Sequence, residues 1–243
     1  MIGLSKRVLH PELLDEGAMP DNIVRESLLD LRWINRRFGG QRLLLEALEA
    51  EISRLGLTKF SVLDIASGSG DLPMAIVDWA QQRRLQPQVF ALEYWYRHLS
   101  LFRSDFRRYP RLHPVCGDAF SAPFRDQMFD FVTCSLFFHH LTETEAGELL
   151  KGMARLARYA IVVSDLERHW LPFYYFQAFS RFFAKSFVSR ADGVTSFRQA
   201  FRKEELEQVV KAACLSNYKV ERRWPFRLLL ISQMSAKMES HLA

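Results

Sequence analysis

Cysteine is scarce: Cys116, Cys134 and Cys214 are the three in 243 residues, widely spaced and with no Cys-x-x-Cys among them. That excludes a disulfide framework and a cysteine-built zinc site, and it fits reduced intracellular thiols. No apolar run approaches the roughly 18 residues a membrane-crossing helix requires. Residues 1–17 carry Lys6 and Arg7 but no apolar stretch of the secretory type, so a cytoplasmic protein is expected. An excess of one charge is also missing, since 33 Lys+Arg against 28 Asp+Glu leave a net +5. The basic residues fall in scattered pairs (Arg36-Arg37, Arg83-Arg84, Arg107-Arg108, Arg222-Arg223), a pattern of solvated faces rather than of a nucleic-acid groove. Repeats, low-complexity tracts and an interdomain linker are absent as well, which leaves one domain.

What is present is an ordinary globular composition, 49% hydrophobic and 25% charged. A chain of this length buries roughly three quarters of its unfolded surface and needs no staple. Val24, Leu28, Leu31 and Phe38 repeat at helical spacing until Gly39-Gly40, and a second helix is expected over 41–55. Short apolar runs at 60–66, 88–92, 112–116, 129–134 and 159–164 then alternate with helical stretches at 72–84, up to 108, and at 142–156. Continuous apolar strands alternating with helices point to a parallel sheet covered on both faces. An aromatic segment (169–187), a polar stretch read as a loop (190–198), a helix (203–214) and strands at 218–223 and 226–232 follow. Only Trp224-Pro225 joins those last strands, so they must pair antiparallel.

The sharpest motif is Asp64-Ile65-Ala66-Ser67-Gly68-Ser69-Gly70, between the first strand and its helix. In doubly wound folds this is where nucleotide-like ligands bind. It lacks the Gly-Lys-Ser/Thr ending of a phosphate loop. It also lacks the third glycine of a dinucleotide fingerprint, since Pro73 stands there. An acidic residue and two glycines remain, which suits a ligand without a pyrophosphate.

Over residues 59–166 the chain resembles the class I S-adenosylmethionine-dependent methyltransferases. The resemblance implies that S-adenosyl-L-methionine binds at Asp64, Ala66, Ser67, Gly68 and Gly70, with Ala66 where a glycine is common. Glu93, followed by Tyr94, stands where the family's acidic residue holds the ribose hydroxyls. Gly117-Asp118-Ala119 matches the motif that meets the adenine, and Ser135 with the loop to Leu141 matches the fourth strand and its active-site loop. It also implies a fold: a doubly wound, mostly parallel seven-stranded α/β sheet with an antiparallel terminal strand. The expected layout is a helical lid (1–57), a cofactor-binding core (58–166), a substrate-side aromatic insertion (167–200), and a C-terminal helix and strand pair (201–233).

Methyl transfer from a sulfonium is an in-line displacement that chiefly needs alignment and exclusion of water. It demands no metal, and none is expected. A phenolic acceptor gains from a base near neutral pKa, and His140 and His139 stand just past the fourth strand. Asp165, Glu167 and His169, after the fifth strand, form a second candidate group, with Arg168 expected to pair with one of these acids at the surface. Phe176, Phe179, Phe183 and Phe187 share one helical face, while Phe173, Tyr174, Tyr175 and Phe182 fall on others. Such a segment lines a pocket for a flat or lipophilic acceptor, packs in the core, or touches a membrane with Arg181 and Lys185. Trp33, Asn35 and Arg36, ahead of Gly39-Gly40, are read as a hinged lid or as a simple helix stop. The expected function is O-methylation of an aromatic or polyketide-like hydroxyl. The alternatives are C-methylation of a quinone or polyketide ring, and a non-catalytic cofactor-binding partner. A nucleic-acid substrate is disfavoured, because Ser135-Leu136-Phe137-Phe138 replaces a planar-base motif.

Overall fold

The computed structural model describes residues 4, 6–14, 17 and 19–234, and every side chain among them except those of Phe179 and Phe183. Its seven strands are β1 (Lys59–Ile65), β2 (Gln86–Glu93), β3 (Leu112–Cys116), β4 (Phe129–Ser135), β5 (Ala157–Leu166), β6 (Tyr218–Arg223) and β7 (Arg227–Gln233). They form one sheet in the order β3-β2-β1-β4-β5-β7-β6, parallel except for β7, which runs antiparallel to β5 and β6. β4 is buried over nearly its whole length, which is why it reads as unbroken hydrophobicity rather than alternation. On one face, Leu44 and Leu48 of α2 (Gly40–Leu55) and Ile76 and Val77 of α3 (Asp71–Gln82) pack on Val62, Phe131 and Val162. On the other, Leu149 and Met153 of α6 (Glu143–Leu156) and Leu206 and Val210 of α9 (Lys203–Ala212) cover Leu63, Val132 and Ile161. Among the described residues no helix is long and apolar enough to cross a membrane.

The strands fall where the apolar runs put them, within a few residues. The helical stretch expected up to 108 is two short helices, α4 (Tyr96–Leu101) and α5 (Arg103–Phe106). The stretch 190–198, expected to be a loop, lies inside α8 (Phe187–Gln199). α8 buries polar side chains, so it presents no apolar stripe. Asp192 accepts from the backbone N–H groups of Leu13 (2.8 Å) and Leu14 (3.1 Å), and Gln199 Oε1 from that of His10 (2.6 Å).

The aromatic segment is α7 (Trp170–Phe183) and the start of α8, separated by a break, so no single stripe runs through it. Phe173 and Phe176 are buried, while Tyr174, Tyr175, Phe182 and Phe187 are exposed; the expectation for Phe179 and Phe183 falls outside the described side chains. Gly40 opens α2 rather than serving as an open hinge: a Cβ there would lie 1.9 Å from Asn35 Oδ1 and 2.7 Å from the Arg227 guanidinium.

Arg168 overturns its expected surface pairing. Its side chain is 0% exposed, and it bonds Glu205 through both terminal nitrogens, at 3.0 and 2.5 Å. It also donates to the carbonyls of Ala200 (2.6 Å) and Leu4 (3.1 Å). Glu167 instead accepts from Arg222 at 2.6 Å. Truncation of Arg168 would leave the Ala200 carbonyl without this donor and take from Glu205 its bidentate partner, Arg202 N–H remaining at 2.8 Å. Arg168→Ala is therefore expected to lower unfolding free energy by about 3–5 kcal/mol, read as a drop in urea midpoint, whereas an Arg222→Ala change at the surface costs about 1 kcal/mol or less.

Candidate active site

The carboxyl ends of β1, β2, β4 and β5 open into a cavity of about 1490 Å³. The turn after β1 forms one end. Ala66, Gly68 and Gly70 have φ of 55°, 54° and 75°, in the left-handed region where a glycine costs least. Ala66 occupies that region with a Cβ, which accounts for the glycine common there in the family it resembles. At Gly70 a Cβ would also come within 2.5 Å of the Phe106 ring. Gly68 N–H donates to Glu93 Oε2 at 2.7 Å and Trp95 N–H to Oε1 at 3.0 Å. Oε1 also faces His98 Nδ1 at 3.2 Å, while Oε2 keeps a second lone pair of the kind a ribose hydroxyl requires. Asp118 uses Oδ1 to cap a short turn through Phe120 N–H (2.9 Å), and Phe120 and Tyr94 line the same end with exposed rings. The hydroxyls of Ser67 and Ser135 are buried without a hydrogen-bond partner among the described residues.

This end is acidic. Asp64 is fully buried and takes a hydrogen bond from Thr133 Oγ1 at 2.7 Å. Burial first, then the neighbouring charges of Asp71 and Glu93, push its carboxyl well above the usual range, against that hydrogen bond. A cationic ligand laid against the loop supplies the missing counter-charge.

α1 (Asp21–Arg37) reaches over the loop. Arg32 donates to Ser69 Oγ (2.8 Å) and to its carbonyl (2.5 Å), and pairs with Asp105 (2.7 Å). Asn35 and Gln41 both donate to Asp71 Oδ2, at 3.1 and 2.9 Å. Behind Asn35 lies Arg227, whose burial brings its guanidinium down to about 10 despite the pull of Asp165 and Asp71. One of its terminal nitrogens has no hydrogen-bond partner among the described residues.

The other end of the cavity holds His139 and His140, on a turn after β4 (Phe138–His140). Asp165 stands behind His139: Oδ1 is 2.7 Å from Nδ1, and Oδ2 accepts His139 N–H at 3.0 Å. Burial alone would raise the Asp165 carboxyl, but the His139 ring and the amides of Leu166 and His139 hold it below the usual range. Of the second candidate group only Asp165 joins the site. His169 caps α7 through Nδ1 (3.2 Å to Leu171 N–H) and stacks on Phe226. Glu12 was not anticipated. It reaches His139 Nε2 at 3.7 Å and His140 Nε2 at 3.8 Å, and accepts from Ser196 Oγ at 2.6 Å. Its distance along the chain left no local spacing to betray it. Tyr175 and Phe176 of α7 and Phe197 of α8 line the wall here, as expected of a pocket-forming aromatic segment.

Two measurements follow from the acidic end. Glu93→Ala is expected to weaken S-adenosylhomocysteine binding by about 1–3 kcal/mol in calorimetric titration; unchanged affinity removes Glu93 from the ribose. For Asp64, a carboxyl raised in the folded state costs stability as pH climbs above its unfolded value near 4. Asp64→Asn abolishes that loss. The difference in Tm between variant and wild type should therefore move in the variant's favour between pH 4 and pH 8, and a flat difference refutes the assignment.

A family model described as a methyltransferase domain matches residues 62–159. The chain is similar to demethylmenaquinone methyltransferase of Roseiflexus sp. (strain RS-1), 28% identical over 163 residues that span 62% of this chain and 66% of that protein, just under two thirds of it. The same-named protein of Bacillus licheniformis is 27% identical over 169 residues, 65% of this chain and 71% of that one. In fold it is similar to a SAM dependent methyltransferase from Aquifex aeolicus, with a TM-score of 0.58 and 14% identity over 83% of this chain and 97% of the other. The glycine turn, the acids around it and these matches coincide on one stretch of sequence, residues 62–159, which matches a methyltransferase domain.

Proposed function

We propose that this chain transfers the methyl group of S-adenosylmethionine to a hydroxyl oxygen of a small, flat or lipophilic acceptor of the aromatic or polyketide type. The observation that carries this reading is the buried Asp165–His139 pair beside His140, in the wall of the cavity whose far end is the glycine turn. Displacement at a sulfonium carbon proceeds once nucleophile and methyl are aligned and water is excluded. A hydroxyl becomes a good nucleophile as its proton leaves, and the histidine end is where the chain has groups to receive it. Leu31, Trp33, Tyr175, Phe176 and Phe197 supply the apolar walls that a flat acceptor requires.

Methylation of a ring carbon in a quinone-like acceptor is the second reading, supported by the names of the two demethylmenaquinone relatives. With methyl-labelled cofactor and a panel of phenols and quinols, the product's methyl carbon distinguishes attachment to oxygen from attachment to carbon by NMR. His140→Ala is expected to lower kcat on the order of 100-fold while S-adenosylhomocysteine affinity stays at the wild-type value. Equal turnover removes His140 from the chemistry, and no turnover on any acceptor leaves a cofactor-binding protein without catalysis.

A further inference from the structure

Glu12, His139 and His140 meet at the acceptor end of the cavity, with their ligand atoms all within 4.8 Å of one another. Two features distinguish them from a chance cluster. The first is orientation. Asp165 Oδ1 lies 2.7 Å from His139 Nδ1, which leaves Nε2 to face Glu12 at 3.7 Å. A carboxylate on one ring nitrogen and an open second nitrogen is the usual arrangement behind a metal-bound histidine. Glu12 is held in turn, Oε1 accepting from Ser196 Oγ (2.6 Å) and Gln199 Nε2 (3.3 Å).

The second feature is convergence. Glu12 and Asp165 are both buried carboxylates with His139 between them. The His139 and His140 rings lie 4.3 Å apart, centre to centre, and both turn Nε2 toward the Glu12 carboxylate. Three donors of this kind aimed at one point are what a single divalent cation requires.

We propose that Glu12, His139 and His140 bind one divalent transition-metal ion, zinc by the character of the donors, with Asp165, Ser196 and Gln199 orienting them. Two histidines and one glutamate are a known catalytic zinc set, and bonds of about 2.0–2.1 Å place tetrahedral donors about 3.3 Å apart. The observed 3.7 Å to Oε1 and 3.8 Å to Oε2 lie within half an ångström of that, and all three donors lie within 4.8 Å of one another, so side-chain adjustment on the order of an ångström closes the site. The remaining position faces the cavity. Resting on the hydroxyl-acceptor reading above, the ion takes the acceptor oxygen, and with the metal in place the proton passes to water instead of to a histidine ring that serves as ligand. That oxygen's lone pair forms the bond to the methyl carbon as the carbon–sulfur bond breaks, its electron pair staying on sulfur. Nothing is oxidised or reduced.

The test begins with tag-free full-length protein, stripped by chelator, reloaded with zinc or cobalt(II), and freed of excess metal. Elemental analysis is expected to find one ion per chain, and cobalt to give the visible absorption of a low-coordinate nitrogen–oxygen site. Glu12→Gln and His140→Asn are expected to weaken metal binding at least 100-fold while S-adenosylhomocysteine affinity, the check on folding, is unchanged. Wild-type protein that retains no ion, or an ion retained equally by both variants, overturns the proposal. If no ion is held and His140→Ala still loses turnover, the metal site is refuted and the O-methylation reading stands. If the ion binds at the three residues but the product is methylated on carbon, the metal site stands and the O-methylation reading is refuted.

Discussion

A guanidinium taken wholly out of water is expensive, and Arg168 survives there because every direction around it ends on an oxygen. Stripping such an ion of its hydration costs several kcal/mol, repaid only by a near-complete set of charge-assisted bonds. The two carboxylate oxygens of Glu205 and the carbonyls of Ala200 and Leu4 provide that set. Each belongs to a different part of the chain: the start of α9, the end of α8 and the N-terminal segment. Arg168 itself directly follows β5 and Glu167. The bond to Leu4 begins a second line of attachment. Arg7 donates to the carbonyls of Gln199, His139 and Leu141 and lies 3.6 Å over the Phe201 ring. The segment so pinned carries Glu12 to the histidines. The acceptor end therefore depends on a buried cation outside the cavity lining.

The two ends of the cavity are assembled by different means. The glycine turn, Glu93 and Asp118 each follow directly from the end of a parallel strand, so backbone register in the sheet sets their separation. The histidine end needs β4, β5, α8 and residues 6–14 at once, joined by side-chain bonds. Their electrostatics differ as well. Asp64, Asp71 and Glu93 make the turn a place for a cationic cofactor. Asp165 and Glu12 form a second acidic centre, with two imidazoles interposed.

That division explains what was legible in the sequence. Strands buried on both faces read as apolar runs, so five parallel strands and their order of ligand-bearing ends could be recovered from β-branched and aromatic content alone. Asp64, Gly68, Gly70, Glu93 and Asp118 could be placed together at one end of the cavity because each lies at or just past the carboxyl end of its strand. α8 was missed because its buried face is polar: Ser189, Asp192, Ser196 and Gln199 turn inward. No periodicity of hydrophobic residues marks a helix whose inner face is meant for backbone amides and a glutamate from elsewhere. Arg168 was misread for the same reason. Its neighbours Asp165 and Glu167 are three residues and one residue away from it, but the strand's alternation sends Asp165 to His139, and Arg222 takes Glu167.

The reach of the family match has the same physical origin. It covers residues 62–159, the stretch where turns after strands place groups around a cofactor of fixed shape. Around such a ligand the spacing of residues is constrained by the ligand itself, and local motifs persist. Asp165, α7, α8 and Glu12 lie outside that stretch. They are joined by contacts between remote segments that no local motif encodes. The glycine-turn end is thus readable from a run of adjacent turns. The histidine end is built by how residues 6–14 dock on α8, and that arrangement exists only in the folded protein.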